Sequence, residues 1–571
     1  MSVKVTIDGR EYEAREGELL IDVCRRNGID IPHFCYHPGL GPDGNCRMCQ
    51  VEFVTERGGR LGISCKAVVT NGMQVLTQSD MVKRARASVE EMLLLNHPLD
   101  CPICDKAGEC TLQNYYMQHD LKLSRQDFER FKKKKALDIG PTLILDQERC
   151  VLCDRCVRFL RDVAKDEQLY IAGRGHEAYL TTFPGHEVTS PYSLNTVDLC
   201  PVGALTAKDF RFSSATWFLH TAPSVCTTCA RGCSIEVQSK RSKIHRMRPR
   251  YNPNVNGYWM CDEGRLNYKF VNENRYQRPL CRRGGERYPA AYEEAVAEAC
   301  RVLGFAPGGK PAPSSGPGSS GPRVLVLVSA TCTLEEMFLA KRLAKEILAA
   351  PVFAVRHVRD GVDDRLLRRA DKHPNTKGAE LLGLTVVDCT DPADEQVLSS
   401  LEEKLGGRGV LLCVGFNYDI SAGLERVVTR AAGIITLSAC QTSLGEKADV
   451  VIPGLTFAEK DGLLVNFEGH VQQLQVALDH SPTFAPAAQQ VRNAPHPKSD
   501  WRILADLLAS LGGEANIQSV TQVRKAMERS EPGFGGVDLN RVGALGLRLA
   551  SSSGTPVGPA RTDDRRRDGT Y

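Results

Sequence analysis

Apolar and polar residues alternate through VKVTIDGREYEA on both sides of an Asp-Gly pair. That period of two predicts a β-hairpin turning at Asp8 and Gly9. In GELLIDVCRRNGI the apolar positions fall at helical spacing instead, with Gly28 near the predicted end. A Gly- and Pro-punctuated loop, IPHFCYHPGLGPDGNCRMC, and a return strand, QVEFVTE, follow. Residues 81–118, MVKRARASVEEMLLLNH and PLDCPICDKAGECTLQNYYMQ, read as helical. The middle of the chain offers only short segments. Beyond residue 323, apolar β-branched runs alternate with amphipathic helices: VLVLVSA, LEEMFLAKRLAKEILAA, GVLLCVGF, LERVVTRAA and IITLSA. Such alternation predicts a parallel sheet in an α/β domain, closed by a late amphipathic helix in SDWRILADLLASLG.

Composition narrows the picture modestly. At 571 residues the chain is too long for one core, so several domains are expected. A content of 42% hydrophobic and 25% charged residues is ordinary for a globular protein. A net charge of +4 gives no footprint for nucleic acid or an anionic membrane. No apolar run approaches the ~18 residues of a membrane span, and MSVKVTIDGR lacks the apolar stretch of a signal peptide. The expected compartment is therefore cytosolic, where thiols stay reduced and 22 cysteines point to metal rather than disulfides.

Fifteen cysteines and one histidine between residues 35 and 261 fall into four quartets. The first is Cys35, Cys46, Cys49 and Cys65. A plant-type [2Fe–2S] site is written C-x4-C-x2-C with a distant fourth cysteine, whereas ten residues separate Cys35 from Cys46. The hairpin, helix and loop order nonetheless resembles a ferredoxin β-grasp domain, and a four-cysteine zinc site is the alternative. Gly39, Gly41 and Gly44 spell G-x-G-x-x-G, but the run leads into Cys46 rather than opening a helix, so it is no dinucleotide fingerprint.

His97, Cys101, Cys104 and Cys110 form the second quartet, in the stretch H-P-x-x-C-P-x-C-D-x-x-G-x-C. Here the chain resembles the G-type iron–sulfur subunits of NADH:quinone oxidoreductase, respiratory complex I. The resemblance implies a [4Fe–4S] cluster on one histidine and three cysteines. The same module occurs in some iron-only hydrogenases and NAD-dependent formate dehydrogenases.

The third quartet is Cys150-x2-Cys153-x2-Cys156 with Cys200-Pro201, the spacing of a bacterial ferredoxin. Where a second ferredoxin cluster would take its ligands stand Leu160, Ser190, Ser193 and Thr196. This reads as a two-cluster fold keeping one [4Fe–4S] cluster, as the G-type subunits of complex I do. Cys226-x2-Cys229-x3-Cys233-x27-Cys261 is the fourth quartet, on short strands forming a β-rich cap; it resembles the [4Fe–4S] domain that opens the molybdopterin oxidoreductases. The run Lys132–Lys135 reads as a solvated basic loop, with partner contact as the alternative. Cys24, Cys281, Cys300, Cys332, Cys389, Cys413 and Cys440 are scattered singly and read as small buried hydrophobes.

The C-terminal half resembles a molybdopterin-oxidoreductase domain. After SATCTLEEMFLAKRLAKE, where active formate dehydrogenases place a metal-ligating Cys or selenocysteine, PVFAVRHVRDGVDD has no Cys before Cys389. The domain is also short, so it is expected to be a scaffold without molybdopterin.

The expected fold is thus multidomain, α+β and α/β. Its parts are a [2Fe–2S] β-grasp domain (1–78), a histidine- and cysteine-ligated [4Fe–4S] segment (79–119) and a one-cluster ferredoxin-like domain (120–215). A [4Fe–4S] domain of molybdopterin-oxidoreductase type (216–275), a connecting segment (276–303) and a Gly/Pro/Ser-rich linker (304–322) come next. A degenerate molybdopterin-oxidoreductase-like domain (323–550) and a disordered tail (551–571) complete the chain.

By resemblance the chain is an electron-transfer subunit of the proton-pumping enzyme, with one [2Fe–2S] and three [4Fe–4S] clusters and no NADH, flavin or quinone site of its own. Its partners would be the flavin- and NADH-binding subunit, the small [2Fe–2S] subunit and the ferredoxin-like subunit leading to quinone, on the cytoplasmic face of a bacterial membrane. An NAD-linked hydrogenase or formate dehydrogenase would need a further cysteine set or a molybdenum ligand. A zinc-stapled interaction or nucleic-acid protein would not explain the Cys-Pro closure, nor is the chain strongly basic.

Overall fold

The computed structural model describes residues 2–120, 122–306, 310–311, 323–356, 363–478, 497–513 and 517–549. Most of the predicted linker, the predicted tail and residues 357–362 lie outside the described residues. The described residues form two compact units, one of residues 2–219 with Tyr258–Asp262, the other of His220–Gly257 with residues 263–549.

In the first unit β1 (Ser2–Ile7) and β2 (Arg10–Arg15) form the predicted hairpin, pairing Ile7 with Arg10. Both turn residues are left-handed, Asp8 at φ 47° and Gly9 at φ 81°, as a two-residue hairpin turn requires. With β3 (Gln50–Thr55), β4 (Gly58–Ile63) and β5 (Met73–Leu76) they make one sheet in the order β2-β1-β5-β3-β4. Helix α1 (Leu20–Arg26) buries Leu20, Val23 and Cys24 in a core with Val5, Ile7, Val51 and Val75.

Helix α2 (Asp80–Leu94) starts at Ser79, whose hydroxyl accepts the Val82 N–H at 3.3 Å. The predicted helix over 81–118 is interrupted: α2 stops at Leu94, a single tight turn spans Cys101–Ile103, and helix resumes as α3 (Thr111–Tyr115). Pro98 and Pro102 each lack the N–H that a helix interior needs, and Gly108 turns left-handed at φ 85°. The predicted helical spacing runs across a loop because the motif's own apolar residues, Leu99 and Ile103, are exposed.

The ferredoxin-like part contains β6 (Leu137–Asp138), β7 (Leu143–Leu145), β8 (Tyr170–Ala172), β9 (Tyr179–Thr181) and β10 (Leu205–Ala207). Sheet β10-β7-β6 and hairpin β8-β9 frame two short helices, α4 (Arg155–Arg158) and α5 (Asn195–Leu199). Residues 258–262 group with this unit rather than with the rest of the predicted 216–275 domain. Trp259 stacks near Phe159, with ring centres 4.8 Å apart. A Cβ on Gly39 would come within 2.7 Å of the Trp259 ring, so the loop can pass there only as glycine. The Asp262 N–H donates to the Pro191 carbonyl at 2.8 Å.

In the second unit β11 (His220–Val225), β12 (Ser234–Lys240) and β13 (Lys243–Pro249) form an antiparallel meander, the predicted β-rich cap. The larger sheet has eight strands. β14 (Leu280–Arg283) and β15 (Glu286–Pro289) make an antiparallel edge. A small ribbon, β16 (Phe305–Ala306) with β17 (Lys310–Pro311), stands apart. Parallel strands β18 (Val324–Ser329), β19 (Val352–Arg356), β20 (Thr385–Asp388), β21 (Gly409–Val414), β22 (Ala431–Leu437) and β23 (Val450–Ile452) follow the spatial order β23-β22-β21-β18-β19-β20. This is a doubly wound sheet whose order reverses between β18 and β21. Alternate side chains feed opposite faces: Val326 and Val328 join one core, Leu325 and Leu327 the other. Helices Leu334–Arg342 and Asp500–Ser510 cover the first face, and Glu395–Leu405 with Ala422–Thr429 the second. The late helix is where its spacing predicts it.

Candidate metal centres

The loop after α1 holds three of the first quartet's cysteines, and Cys65 follows β4. Cys35, Cys49 and Cys65 are buried and Cys46 is half-buried. Left-handed Gly41, Gly44 and Arg47 curl the loop so that its N–H groups face inward; the Cys35 N–H donates to Cys46 Sγ at 3.5 Å. The sulfurs are in mutual contact. Hydrogen bonds from the Cys46 and Cys65 thiols hold the Cys35 thiol far below its usual range, and the Cys65 thiol lowers Cys49 to about 7. Donating to Cys35, and then burial, push Cys46 up, and donating to Cys35 and Cys49 does the same to Cys65, so Cys35 and Cys49 are the two sulfurs readiest to become thiolates, the form that ligates metal.

The second quartet lies in the broken-helix segment. Cys110 is buried, Cys104 half-buried and Cys101 exposed. Burial, then the nearby Arg149 charge, lower His97 to about 4, leaving the neutral imidazole that a metal requires. Arg149 itself is fixed by Asp100 at 2.8 Å. Lys135 also reaches Asp100, at 2.5 Å, and Glu148 at 2.8 Å, so the end of the predicted solvated basic run is an ion-paired clasp. This motif sits against the Cys200–Gly203 loop. The Thr111 N–H donates to the Pro201 carbonyl at 2.9 Å, and a Cβ on Gly203 would approach Cys104 Sγ to 2.2 Å.

In the third quartet Cys153, Cys156 and Cys200 are buried and Cys150 half-buried. All four line a single small cavity with Pro201, Val202 and Leu180. Left-handed Leu152 and Asp154 turn the backbone around it, and the Leu152 N–H donates to Cys150 Sγ at 3.4 Å. Burial, followed by repulsion between neighbouring sulfurs, raises Cys150 to about 12. Burial raises Cys153 to about 12 as well and Cys156 well above its ordinary range, so unbound these three thiols hold their protons; a cationic metal centre would displace them.

The vacated ferredoxin positions are packed solid. Leu160 and Thr196 are completely buried, with Ser193 and Ser190 nearly so. Ser193 Oγ donates to Asp262 Oδ2 at 2.6 Å and lies 2.5 Å from Thr142 Oγ1. Asp262 Oδ1 accepts the Leu194 N–H at 3.0 Å, and Thr196 Oγ1 donates to the Ser193 carbonyl at 2.6 Å. Asn195 and Met260 exchange two further bonds.

Of the fourth quartet, Cys226, Cys229 and Cys233 are buried in the β11–β12 connection of the second unit, where the Cys226 N–H donates to the Cys233 carbonyl at 2.8 Å. Cys261 is buried in the first unit. Among the described residues no three His, Cys, Asp or Glu side chains converge tightly enough to hold a single ion. The seven scattered cysteines are all buried, as their apolar contexts predict.

Beyond the C-terminal ends of β18 and β21, where the sheet order reverses, the second unit has a cavity of about 590 Å³. Thr331, Cys332, His373, Tyr418 and Lys460 are among its walls. His373 Nε2 lies 3.1 Å from the Tyr418 hydroxyl, which lies 2.8 Å from Ser329 Oγ. Both lysines on the walls are matched by carboxylates, Lys460 by Glu336 at 2.7 Å and Lys372 by Glu263 at 2.8 Å.

Sequence reasoning misses four buried residues of these sites: Asp262, Arg149, Arg155 and Arg158. Arg155 and Arg158 lie within and just after the third motif, a placement that could have flagged them.

Family models match five stretches. These are a 2Fe-2S iron-sulfur cluster binding domain over 1–80 and the NADH-ubiquinone oxidoreductase-G iron-sulfur binding region over 86–125. The ferredoxin-like domain of NADH-quinone oxidoreductase subunit 3 matches 140–206. A molybdopterin oxidoreductase Fe4S4 domain matches 219–273, and molybdopterin oxidoreductase itself 422–510. The G subunit of NADH-quinone oxidoreductase from Streptomyces coelicolor is 41% identical over 305 residues, 53% of this chain and 36% of that protein. The mitochondrial NADH-ubiquinone oxidoreductase 78 kDa subunit of Candida albicans is 39% identical over 297 residues, 52% of this chain and 41% of its own length. The G subunit from Mycobacterium bovis is 35% identical over 418 residues, 71% of this chain and 50% of its own length. A solved NAD+-reducing [NiFe]-hydrogenase in the H2-reduced state is 32% identical, covering 38% of this chain and 91% of that one. Its TM-score of 0.34 is too low to bear on the fold. The chain spans half or less of the length of the curated relatives it matches. It is a relative of the G subunits of NADH-quinone oxidoreductase, carrying 2Fe–2S and 4Fe–4S binding domains.

Proposed function

We propose that the chain is the electron-conducting iron–sulfur subunit of a proton-pumping NADH:quinone oxidoreductase. In this reading Cys35, Cys46, Cys49 and Cys65 hold a [2Fe–2S] cluster. Three [4Fe–4S] clusters take His97, Cys101, Cys104 and Cys110; Cys150, Cys153, Cys156 and Cys200; and Cys226, Cys229, Cys233 and Cys261. The observation that carries it is the third quartet, whose cysteines from two distant stretches line one cavity, with the second motif seated against its Cys200–Gly203 loop.

Iron–sulfur clusters supply one-electron transfer at potentials set by charge, burial and hydrogen bonds to sulfur. The chain's own residues would provide those settings. The Leu152 and Cys35 N–H groups point at cysteine sulfurs. Neutral His97 removes one negative charge from its site, and burial of Cys153, Cys156 and Cys200 excludes water.

Electrons would enter from a flavin- and NADH-binding subunit, with the small [2Fe–2S] subunit alongside, and leave towards a ferredoxin-like subunit. Exposed Cys101 lies in a segment with exposed Leu99 and Ile103, and exposed Trp217 packs on Gly108 of the same motif. An apolar rim on a ligand-bearing motif suits a protein partner. Among the described residues no helix is long and apolar enough to cross a membrane, so attachment at the cytoplasmic face would run through such partners. The walls of the large cavity are already charge-balanced, which favours a scaffold over a molybdopterin site.

Metal analysis of anaerobically purified protein with EPR of the reduced state tests the reading. About fourteen irons per chain, without zinc or molybdenum, is the expected content for one [2Fe–2S] and three [4Fe–4S] centres. Zinc in place of iron overturns it, and stoichiometric molybdenum replaces it with a formate-dehydrogenase-like enzyme.

A further inference from the structure

Between Cys153 and Cys156 stands Arg155, and one helical turn beyond its start stands Arg158. Both side chains are buried, at 6% and 5% exposure, where lysine and arginine are seldom found without a partner. Neither reaches out to solvent. The Arg155 guanidinium donates to the Tyr36 carbonyl at 2.5 Å and to the Leu199 carbonyl at 3.3 Å. Those carbonyls belong to the residues after Cys35 and before Cys200, so one side chain ties the first quartet to the third. Arg158 donates to the carbonyl of Cys35 itself and to that of Gly41 at 3.2 Å. Asn45 adds a third tie, its Nδ2 donating to the Leu152 carbonyl at 3.3 Å.

Charge is the informative part. Among the described residues Arg155 has no carboxylate within salt-bridge distance, and Arg158 has only Asp154, at 4.0 Å. The Nε atoms of both are buried without a hydrogen-bond partner. Two cations held in this way by neutral carbonyls bear the desolvation cost of buried ions uncompensated, unless negative charge sits nearby. Asp154 aside, what adjoins these cations among the described residues is the ligand set itself: Arg155 stands between Cys153 and Cys156, and the carbonyls the two arginines hold include those of Cys35 and of the neighbours of Cys35 and Cys200.

We propose that Arg155 and Arg158 are positioning residues that bolt the first and third quartets into one unit and, as its counter-charges, raise the reduction potential of a cluster at either quartet. This rests on the iron–sulfur reading above. Reduction adds negative charge to a centre, and a fixed buried cation favours that charged form. The two arginines would therefore tune two centres together, which staples made by neutral side chains would not do.

The test is an EPR-monitored redox titration of the full chain, with iron content measured on the same samples. Arg155→Met and Arg158→Met keep length and remove charge; Arg155→Lys and Arg158→Lys keep charge and remove the fork. The Met variants are expected to lower the midpoints of the first and third centres. A tenfold change in the reduction equilibrium corresponds to a shift of about 59 mV for one electron. The second and fourth centres should keep theirs, and the Lys variants should stay near the wild type. Wild-type midpoints in Met variants that retain iron would overturn the inference, leaving the arginines as plain staples. If the Met variants lose iron, the Lys variants decide: retained iron at wild-type midpoints supports the charge role, and equal loss overturns it. Wild-type protein without iron would instead defeat the proposed function itself.

Discussion

Two places within the ferredoxin-like part of the first unit are built from similar pieces and filled in opposite ways. At one, four cysteines line a cavity, with two buried arginines close by. At the other, Leu160, Ser190, Ser193 and Thr196 stand where a second set of ligands would be, and the space is closed. The contrast shows what a cavity lined by thiols costs a fold. A thiol-lined cavity leaves sulfurs that repel one another once ionised and calls for cations around it. Hydroxyls and a leucine ask for less: Thr196 bonds the Ser193 carbonyl, Asp262 spends its carboxylate on Ser193 and the Leu194 N–H, and only the Ser190 hydroxyl among them is buried without a partner. The closed place is stable without a guest.

The sharpest way to break this contrast is at the open place. Cys200→Ser should remove one ligand of four and lower the iron content by about four atoms per chain, read by metal analysis; unchanged iron would remove Cys200 from the ligand set. At the closed place the expected losses are of stability, not iron. Leu160→Ala should cost ~2–5 kcal/mol in denaturant unfolding, since its completely buried side chain leaves a void. Ser193→Ala should cost ~1–3 kcal/mol by depriving the Asp262 carboxylate of a buried donor. Iron loss in either variant would mean that the two places are coupled. The smallest effect belongs to a cysteine outside every quartet. Cys24→Ala should leave iron content unchanged, and loss of a cluster would place Cys24 among the ligands.

Much of this was legible in the chain. The hairpin at Asp8–Gly9 follows from a dipeptide that accepts left-handed backbone, and the gathering of Cys150, Cys153, Cys156 and Cys200 around one cavity follows from a spacing that lets a short loop wrap it. The vacated positions were legible too, as hydroxyl residues where cysteines would stand. Tertiary closeness was not. The helix expected through residues 95–110 gives way to a loop, although Pro98, Pro102 and Gly108 carried that signal. Nothing near Cys261 announces that residues 258–262 group with the first unit, because what holds them is Trp259 against Phe159 and Asp262 against Ser193, partners many residues away. Arg155 and Arg158 act on backbone carbonyls, and a carbonyl has no letter in a sequence. The parallel sheet was expected from alternation alone, but its reversal between β18 and β21 depends on which strands pair.

The seven solitary cysteines carry a consequence for how such a protein is made. Burial lifts every one of their thiols, Cys24, Cys389 and Cys413 to about 12 and Cys281, Cys300 and Cys440 to about 11, with Cys332 well above its ordinary value. Cys150 and Cys153 are raised as far, so what sets the seven apart is isolation: among the described residues no second sulfur acts on any of them, whereas the quartet sulfurs act on one another. A chain with more thiols than its quartets use thus offers an incoming metal single sulfurs there and no second gathering of them.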